Sequence, residues 1–519
     1  MTHTTSLISR LRTQTAPGNA PWRCCLIAAA ALQLCACGGE DGSRAVPIAA
    51  AAGEAAGAES APRPAFAPAL MTAPTDCATR PNDTPDQLLE CVTLAGVRAH
   101  QTELAAIARA NNGTRMAGSP GYDASLAYAR KVFTEAGYRV TVQPFEFALS
   151  RIHASSLREP GQIAPESIPH LVADYSGSAD VTAEVSRPAA AVGCEAADFT
   201  GFPRGNIALL RRGGCDLAQK AAAAVQAGAV GLVIYSLDDG ALTGSLSAET
   251  PPDLPVVLVG KTEGERLAQR TLTGVQLHLQ TETSRSMATT YNLLAESTGG
   301  DPDHVTMAGA HLDSVRAGAG INDNGSGVAA ILETARQMAR VQPVNRLRFA
   351  LWGAEEQGLL GSTYYVRKLD AGQRAKIDLY LNFDMIGSPN HVFEVYGGDG
   401  SAGKEAISSP QQSAQIVQFL ESFYAQRKLP SKRVNSGGRS DHKPFADAGI
   451  PFGGLFTGAE EIKSQQDADT WRGTAGKAFD PCYHRACDNL DNFNAAALDV
   501  NADAVANSVL FFAMNRLAR

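Results

Sequence analysis

Three stretches of this chain share a layout that few folds accommodate: an apolar run that ends abruptly in acids or a histidine. Val305–Ala310 leads into His311-Leu312-Asp313, Leu347–Trp352 into Glu355-Glu356, and Leu379–Phe383 into Asp384. Short continuous apolar runs are strands buried on both faces. Charged groups are tolerated beside them at the rim of an open α/β sheet, outside the carboxyl ends of its strands. Between the first two runs lies Ile321–Gly327 (INDNGSG). It is followed by Val328, Ile331, Leu332, Ala335, Met338 and Ala339 at helical spacing. The expected architecture is a mixed sheet flanked by helices, with its acids gathered along one edge.

The rim residues have the types that hold divalent metal. His311 and Asp313 are two apart at a strand end, which puts both on one face. A carboxylate there can take the second imidazole N–H and fix the metal-binding tautomer, making His311 a ligand and Asp313 its partner. Asp323 precedes a helix, where capping is the ordinary role of Asp. The flanking glycines also permit a close approach, and a carboxylate has two oxygens with which to hold two cations. Glu355 and Glu356 are adjacent and diverge, so one can ligate while the other faces substrate; a plain surface pair is the alternative. His484 sits between Cys482 and Cys487, in a loop that a disulfide would hold rigid. Two imidazoles with several carboxylates suit a pair of zinc ions. His442 is the alternative to His484. Asp499 and Asp503, four apart near a helix start, could hold calcium, but helix-end charge accounts for them more simply. His304, His391 and Glu405 fall in turn-like sequence and read as solvated.

The ends of the chain point to export. Arg10, Arg12 and Arg23 precede the apolar run Cys25–Ala36, which has the length of a signal-peptide core and is too short to span a bilayer. Leu34-Cys35-Ala36-Cys37 resembles a bacterial lipoprotein signal, which implies that Cys37 becomes a lipidated first residue; a plain secretory signal is the alternative. Residues 1–37 are thus read as signal and 38–75, rich in Ala, Gly and Pro, as a flexible tether. Beyond Cys37 the cysteines fall into local pairs, Cys77 with Cys91, Cys194 with Cys215 and Cys482 with Cys487. After an export signal these read as disulfides rather than buried thiols. A net charge of −8 offers no basic footprint for nucleic acid. Asp123–Ala136 carries a helical apolar face, and Tyr138–Phe147 alternates as a strand.

From about His170 to Thr283 the texture changes to short β-branched strands, VTAEVSRP, NIALLRRG, GLVIYS and PVVLVG, with a single helix expected at Leu217–Ala227, closed by Gly228. The run RRGGCDLAQKAAAAVQAGAVGLVIYS resembles the protease-associated (PA) domain, here a β-rich insert over residues 166–285. Either a substrate-selecting wall or an inert spacer fits it. It splits the main domain into 76–165 and 286–519.

The motifs HLDS, NDNGSG, EEQGLLGS, NFDMIGS, GRSDHKPF and CYHRACD together resemble the secreted di-zinc aminopeptidases, in the larger family that includes glutamate carboxypeptidase, glutaminyl cyclase and the transferrin receptor. By position the resemblance implies His311 and Asp384 on one zinc, Glu356 and His484 on the other, and Asp323 bridging. It implies Glu355 as general base, Tyr483 as oxyanion donor, and Arg439 and Asp441 at the substrate pocket. Zinc ions about 3.5–4 Å apart share a water and polarise the scissile carbonyl. The expected protein is a monomeric exopeptidase of the cell envelope, acting on peptides with a free N-terminus and touching membrane only through its lipid. A carboxypeptidase or dipeptidase of the same family, or a binding protein on the same scaffold, is the alternative.

Overall fold

The computed structural model describes residues 73–161, 167–237, 242, 244–246, 252–401, 408–435 and 437–518. The expected signal with Cys37, most of the tether, and Glu405 lie outside the described residues. The strands are β1 (Arg139–Arg158), β2 (Leu171–Val172), β3 (Ala179–Ser186), β4 (Ile207–Arg211), β5 (Gly231–Tyr235), β6 (Val256–Val259), β7 (Gln276–Glu296), β8 (Asp301–His311), β9 (Asn345–Trp352), β10 (Ile377–Phe383), β11 (Glu394–Gly397), β12 (Lys432–Arg433) and β13 (Phe452–Phe456). They pair in the order β12-β11-β13-β10-β8-β9-β7-β3-β4-β5-β6-β2, with β1 on β7.

β13, β10, β8 and β9 run parallel, while β11 and β7 flank them antiparallel. Parallel neighbours end on the same side, so the residues that follow β8, β9 and β10 share one rim. One face of this sheet is covered by the helices Leu94–Ala110, Gly325–Gln337 and Ala495–Met514, which pack on one another. Gly325–Gln337 is buried nearly all round, which explains its small residues. Gly327 must be glycine, because a Cβ there would lie 2.3 Å from the Phe383 carbonyl oxygen at the end of β10. Ala495–Met514 is apolar enough in length and composition to cross a membrane, yet its buried residues pack into this same core.

β1 and β7 form one long antiparallel ribbon, paired from Arg139 with Glu296 to Arg158 with His278. The near end of β7 borders β9, and its far end borders β3. The ribbon thereby carries the second sheet, in which β3, β4, β5 and β6 run parallel. Its strands alternate strictly. Ala208, Leu210, Leu232 and Ile234 face one core; Ile207, Leu209, Val233 and Val257 face another. Two buried faces each need a cover. The expected helix Leu217–Ala227, ended by Gly228 in the left-handed conformation, covers one. A second helix, Lys261–Arg270, covers the other and corrects the single-helix reading. It escapes notice because only Gly264, Leu267 and Ala268 of its ten residues are buried.

Candidate active site

β8 delivers His311 as its last residue, with a side chain only 1% exposed. Its Nδ1 lies 3.1 Å from the backbone carbonyl of Asp313, not from the Asp313 carboxylate, whose nearer oxygen is 3.8 Å away. The strand stops at His311, so two-residue alternation does not reach Asp313. The Asp313 carboxylate instead accepts the backbone N–H groups of Glu355 at 3.1 Å and Glu356 at 3.3 Å. It ties the turn after β9 to the turn after β8.

Asp323 is not the helix cap. That role falls to Asn324, whose Oδ1 accepts from Gly327 N–H at 3.0 Å. Asp323 is left facing both imidazoles, with Oδ1 3.2 Å from His311 Nε2 and Oδ2 3.1 Å from His484 Nε2. Asp384 Oδ1 lies 3.3 Å from His311 Nε2, and Glu356 Oε2 lies 3.0 Å from His484 Nε2. Glu355 Oε2 stands back at 4.0 Å from His311 Nε2. His484 occupies a left-handed backbone position in the loop closed by the Cys482–Cys487 disulfide, and its ring stacks on Tyr483 with centroids 3.8 Å apart.

The cluster carries more buried negative charge than its histidines offset. Burial disfavours a charged His311, yet Asp384, Glu355 and Asp323 together push it well above the usual range. His484 is likewise opposed by burial but raised to about 10, chiefly by Glu356 and Asp323. Burial pushes Glu355 well above the usual carboxylate range, with His311 opposing and the other acids adding. Asp323 Oδ2, Glu356 Oε1 and Asp384 Oδ1 are buried and accept no properly directed hydrogen bond among the described residues. Orphaned carboxylate oxygens between two imidazoles are what divalent cations satisfy. The donor set of nitrogen and carboxylate oxygen suits zinc. Two overlapping groups, His311-Glu355-Asp384 and His311-Asp323-Glu356, each bring ligand atoms within 4.8 Å of one another.

Several supporting residues escape a reading of the sequence. Asp488 accepts the backbone N–H groups of Asn322 at 2.8 Å and Asp323 at 3.0 Å, and Asn492 donates to both Asp488 and Asp480. Its position directly after Cys487 was the available signal. Buried Arg115 donates to the carbonyls of Leu312, Ala319 and Gly320 and so pins the loop between His311 and Asp323. Ser440 Oγ donates to Asp384 Oδ2 at 2.6 Å.

A cavity of about 420 Å³ opens from this cluster. Arg439 and Tyr483 line it, whereas Asp441 is fully buried and does not. Asp441 lies behind the cluster, and burial raises it to about 7 despite His311. Arg439 is already engaged, at 3.2 Å from Glu461, 3.0 Å from Glu460 and 3.3 Å from the Tyr483 hydroxyl. His442 is in neither of the two overlapping ligand groups among the described residues; its ring packs between Phe452 and Tyr396. The Cys77–Cys91 and Cys194–Cys215 bridges are also formed. Asp503 pairs with Arg427 at 3.5 Å and Asp499 bonds the Leu94 backbone. Both lie beyond the first turn of Ala495–Met514, which corrects the helix-end account. Nor are the two histidines read as turn residues simply solvated: His304 lies within β8 with Nδ1 2.9 Å from Asp378, and His391 packs on Phe393.

Residues 292–509 match peptidase family M28, and residues 181–267 match the PA domain. An aminopeptidase of Pseudomonas aeruginosa is 41% identical over 446 residues, 82% of this chain and 81% of that protein. A probable lipoprotein aminopeptidase of Mycobacterium tuberculosis is 40% identical over 436 residues, 82% of this chain and 86% of that protein. Among solved structures, a zinc aminopeptidase of Bacillus subtilis superposes with a TM-score of 0.61 at 26% identity, covering 81% of this chain and 94% of that one.

Proposed function

The chain belongs to peptidase family M28 and carries a PA domain, and from that premise we propose that it is a di-zinc aminopeptidase that removes N-terminal residues from peptides. The observation that carries the reading is Asp323, whose two oxygens stand 3.2 and 3.1 Å from the two imidazoles. His311 and Asp384 would hold one ion, His484 and Glu356 the other, and Asp323 would bridge. Zinc bound there supplies Lewis acidity, which lowers the pKa of water and polarises the scissile carbonyl.

Glu355 takes the proton of the attacking water and passes it to the leaving amine. Its burial favours holding that proton, and the Asp313 carboxylate fixes its backbone. The Tyr483 hydroxyl donates to the oxyanion that forms on the carbonyl. Arg439, 3.3 Å from that hydroxyl, orients it. The substrate's free amine meets the acids Glu355 and Asp384. A carboxypeptidase would need an uncommitted cation for the substrate carboxylate. Arg439, the candidate for that role, stands between Glu460 and Glu461.

Three disulfides and a relative named as a lipoprotein aminopeptidase support export to the cell envelope. We assign residues 1–37 to the signal, with lipidation at Cys37, and 38–75 to the tether. The peptidase domain is then 76–165 with 286–519, and 166–285 is the insert. The test is to load the purified chain with zinc, count the bound metal, and compare amino-acid nitroanilides with N-acetylated peptides that keep a free carboxylate and with C-terminally amidated peptides that keep a free amine. About two zinc ions per chain, with cleavage of free-amine substrates alone, is expected. Cleavage of acetylated but not amidated peptides would make it a carboxypeptidase, and absence of zinc would make it a binding protein.

A further inference from the structure

Beyond the catalytic cluster, the cavity has its own chemistry. Met385, Tyr396, Val434, Phe456 and Phe479 give it apolar walls, and Glu394, Lys432 and Asp467 also line it. β11 and β12 run parallel with Glu394 beside Lys432. Two-residue alternation brings Tyr396 to the same face of β11 as Glu394. The Glu394 side chain is 8% exposed, and its carboxylate makes no hydrogen bond among the described residues; Lys432 Nζ stands off at 4.0 Å. That ammonium is closer to Asp467, at 3.5 Å, and is itself 40% exposed.

The charged groups of these walls are unevenly paired. Lys432 is shared by two carboxylates, Glu394 and Asp467. Arg439 is shared by two more, Glu460 and Glu461. Lys432 stands nearer Asp467 than Glu394, so Glu394, whose side chain is the more buried of the two, is left without a close cation. An ammonium or guanidinium head on a long aliphatic stem matches this arrangement, with the stem against apolar walls and the head at the carboxylate.

We propose that Glu394 is a specificity-determining residue that makes this cavity select peptides whose N-terminal residue carries a cationic side chain, Lys or Arg. This rests on the aminopeptidase reading and names the substrate class it leaves open. Burial is the main cause that pushes Glu394 up to about 7; Lys432 opposes it, while Glu461 and Asp467 add to it. A substrate cation that arrives there restores the charged form and gives the buried carboxylate a closer partner than Lys432. An apolar side chain leaves the carboxylate with only the distant Lys432, and an acidic one meets like charge.

The experiment compares kcat/KM for the nitroanilides of lysine, arginine, norleucine and glutamate with the zinc-loaded full chain. Norleucine has the lysine stem without the charge. The expected lysine-to-norleucine ratio is about tenfold or more, and glutamate is the poorest of the four. Glu394→Gln lowers that ratio at least about tenfold, whereas Lys432→Met raises it, because a competing cation is gone. The second variant keeps the test decisive should the first fail to fold. A ratio near unity, a ratio that neither variant moves, or glutamate as the best substrate overturns the proposal while leaving the aminopeptidase reading intact. No turnover of any of the four overturns that reading and this inference with it.

Discussion

The two halves of the proposed metal cluster are held by different means. His311 ends β8 and Asp384 follows β10, neighbouring parallel strands that pair up to Asn382 and Gly309. Their spacing is set by the sheet. Glu356 lies in a turn fixed by Asp313, while His484 comes from a loop that belongs to no strand or helix and is closed by Cys482–Cys487. The His484 side chain is 17% exposed against 1% for His311. One half is therefore built by the hydrophobic core, the other by a covalent bridge and a few carboxylate–backbone bonds. Asp323 joins the two, so the halves are separable in a way the bridging residue is not.

That difference sets the order of expected effects. Asp323→Ala should release both ions and drop turnover to background, whereas His484→Ala should retain about one zinc per chain at the His311 half. Metal analysis after gel filtration reads both. Equal zinc loss in the two variants would mean that the halves do not act separately. Next comes Glu355→Gln, which should keep the full zinc complement and lose about two to four decades in kcat. Full activity there would remove Glu355 from proton transfer. Smaller again is the double variant Cys482→Ser, Cys487→Ser. Closing so short a loop limits the unfolded chain by about 2 kcal/mol. Acting wholly on His484, that is about thirtyfold in zinc affinity. Competition against a chelator should show one ion weakened and the other unchanged. Two ions weakened alike would show that the loop supports the entire cluster.

How much could be read from the sequence follows the same division. The sheet-built half was legible, because apolar runs that stop at His311 and Asp384 announce strand ends, and parallel strands bring such ends together. The Asp313 reading failed in detail for the reason the strand succeeded: alternation holds inside a strand and lapses one residue past it. Lys261–Arg270 was missed because a helix covering one sheet face needs only Leu267 and Ala268 to do so. Arg115 was out of reach for another reason. Its partners are backbone carbonyls almost two hundred positions away, as with Leu312, and a carbonyl leaves no mark on the sequence. Asp441 and Arg439 lie two apart in one motif, yet one lines the cavity and the other is buried behind the cluster. Only packing separates them.

The smallest expected effect concerns His442, a buried histidine outside the proposed ligand set. His442 is as buried as His311, but its ring is stacked on Phe452 and tilted against Tyr396. Burial, with Lys443 adding, lowers it to about 3. An unfolded histidine titrates near about 6.5, so the unfolded chain takes up this proton first. The depressed folded value therefore costs stability as pH falls below about 6.5, at up to about 1.4 kcal/mol per pH unit. His442→Phe keeps a planar ring and removes the titration. In zinc-free protein, where metal linkage is absent, urea melts should show the stability of the variant rising relative to the parent by about 2 kcal/mol between pH 6 and pH 4. A gap that stays flat across that window would mean that His442 carries a proton in the fold. Burial would then no longer distinguish it from His311 and His484, whose carboxylates draw the proton in.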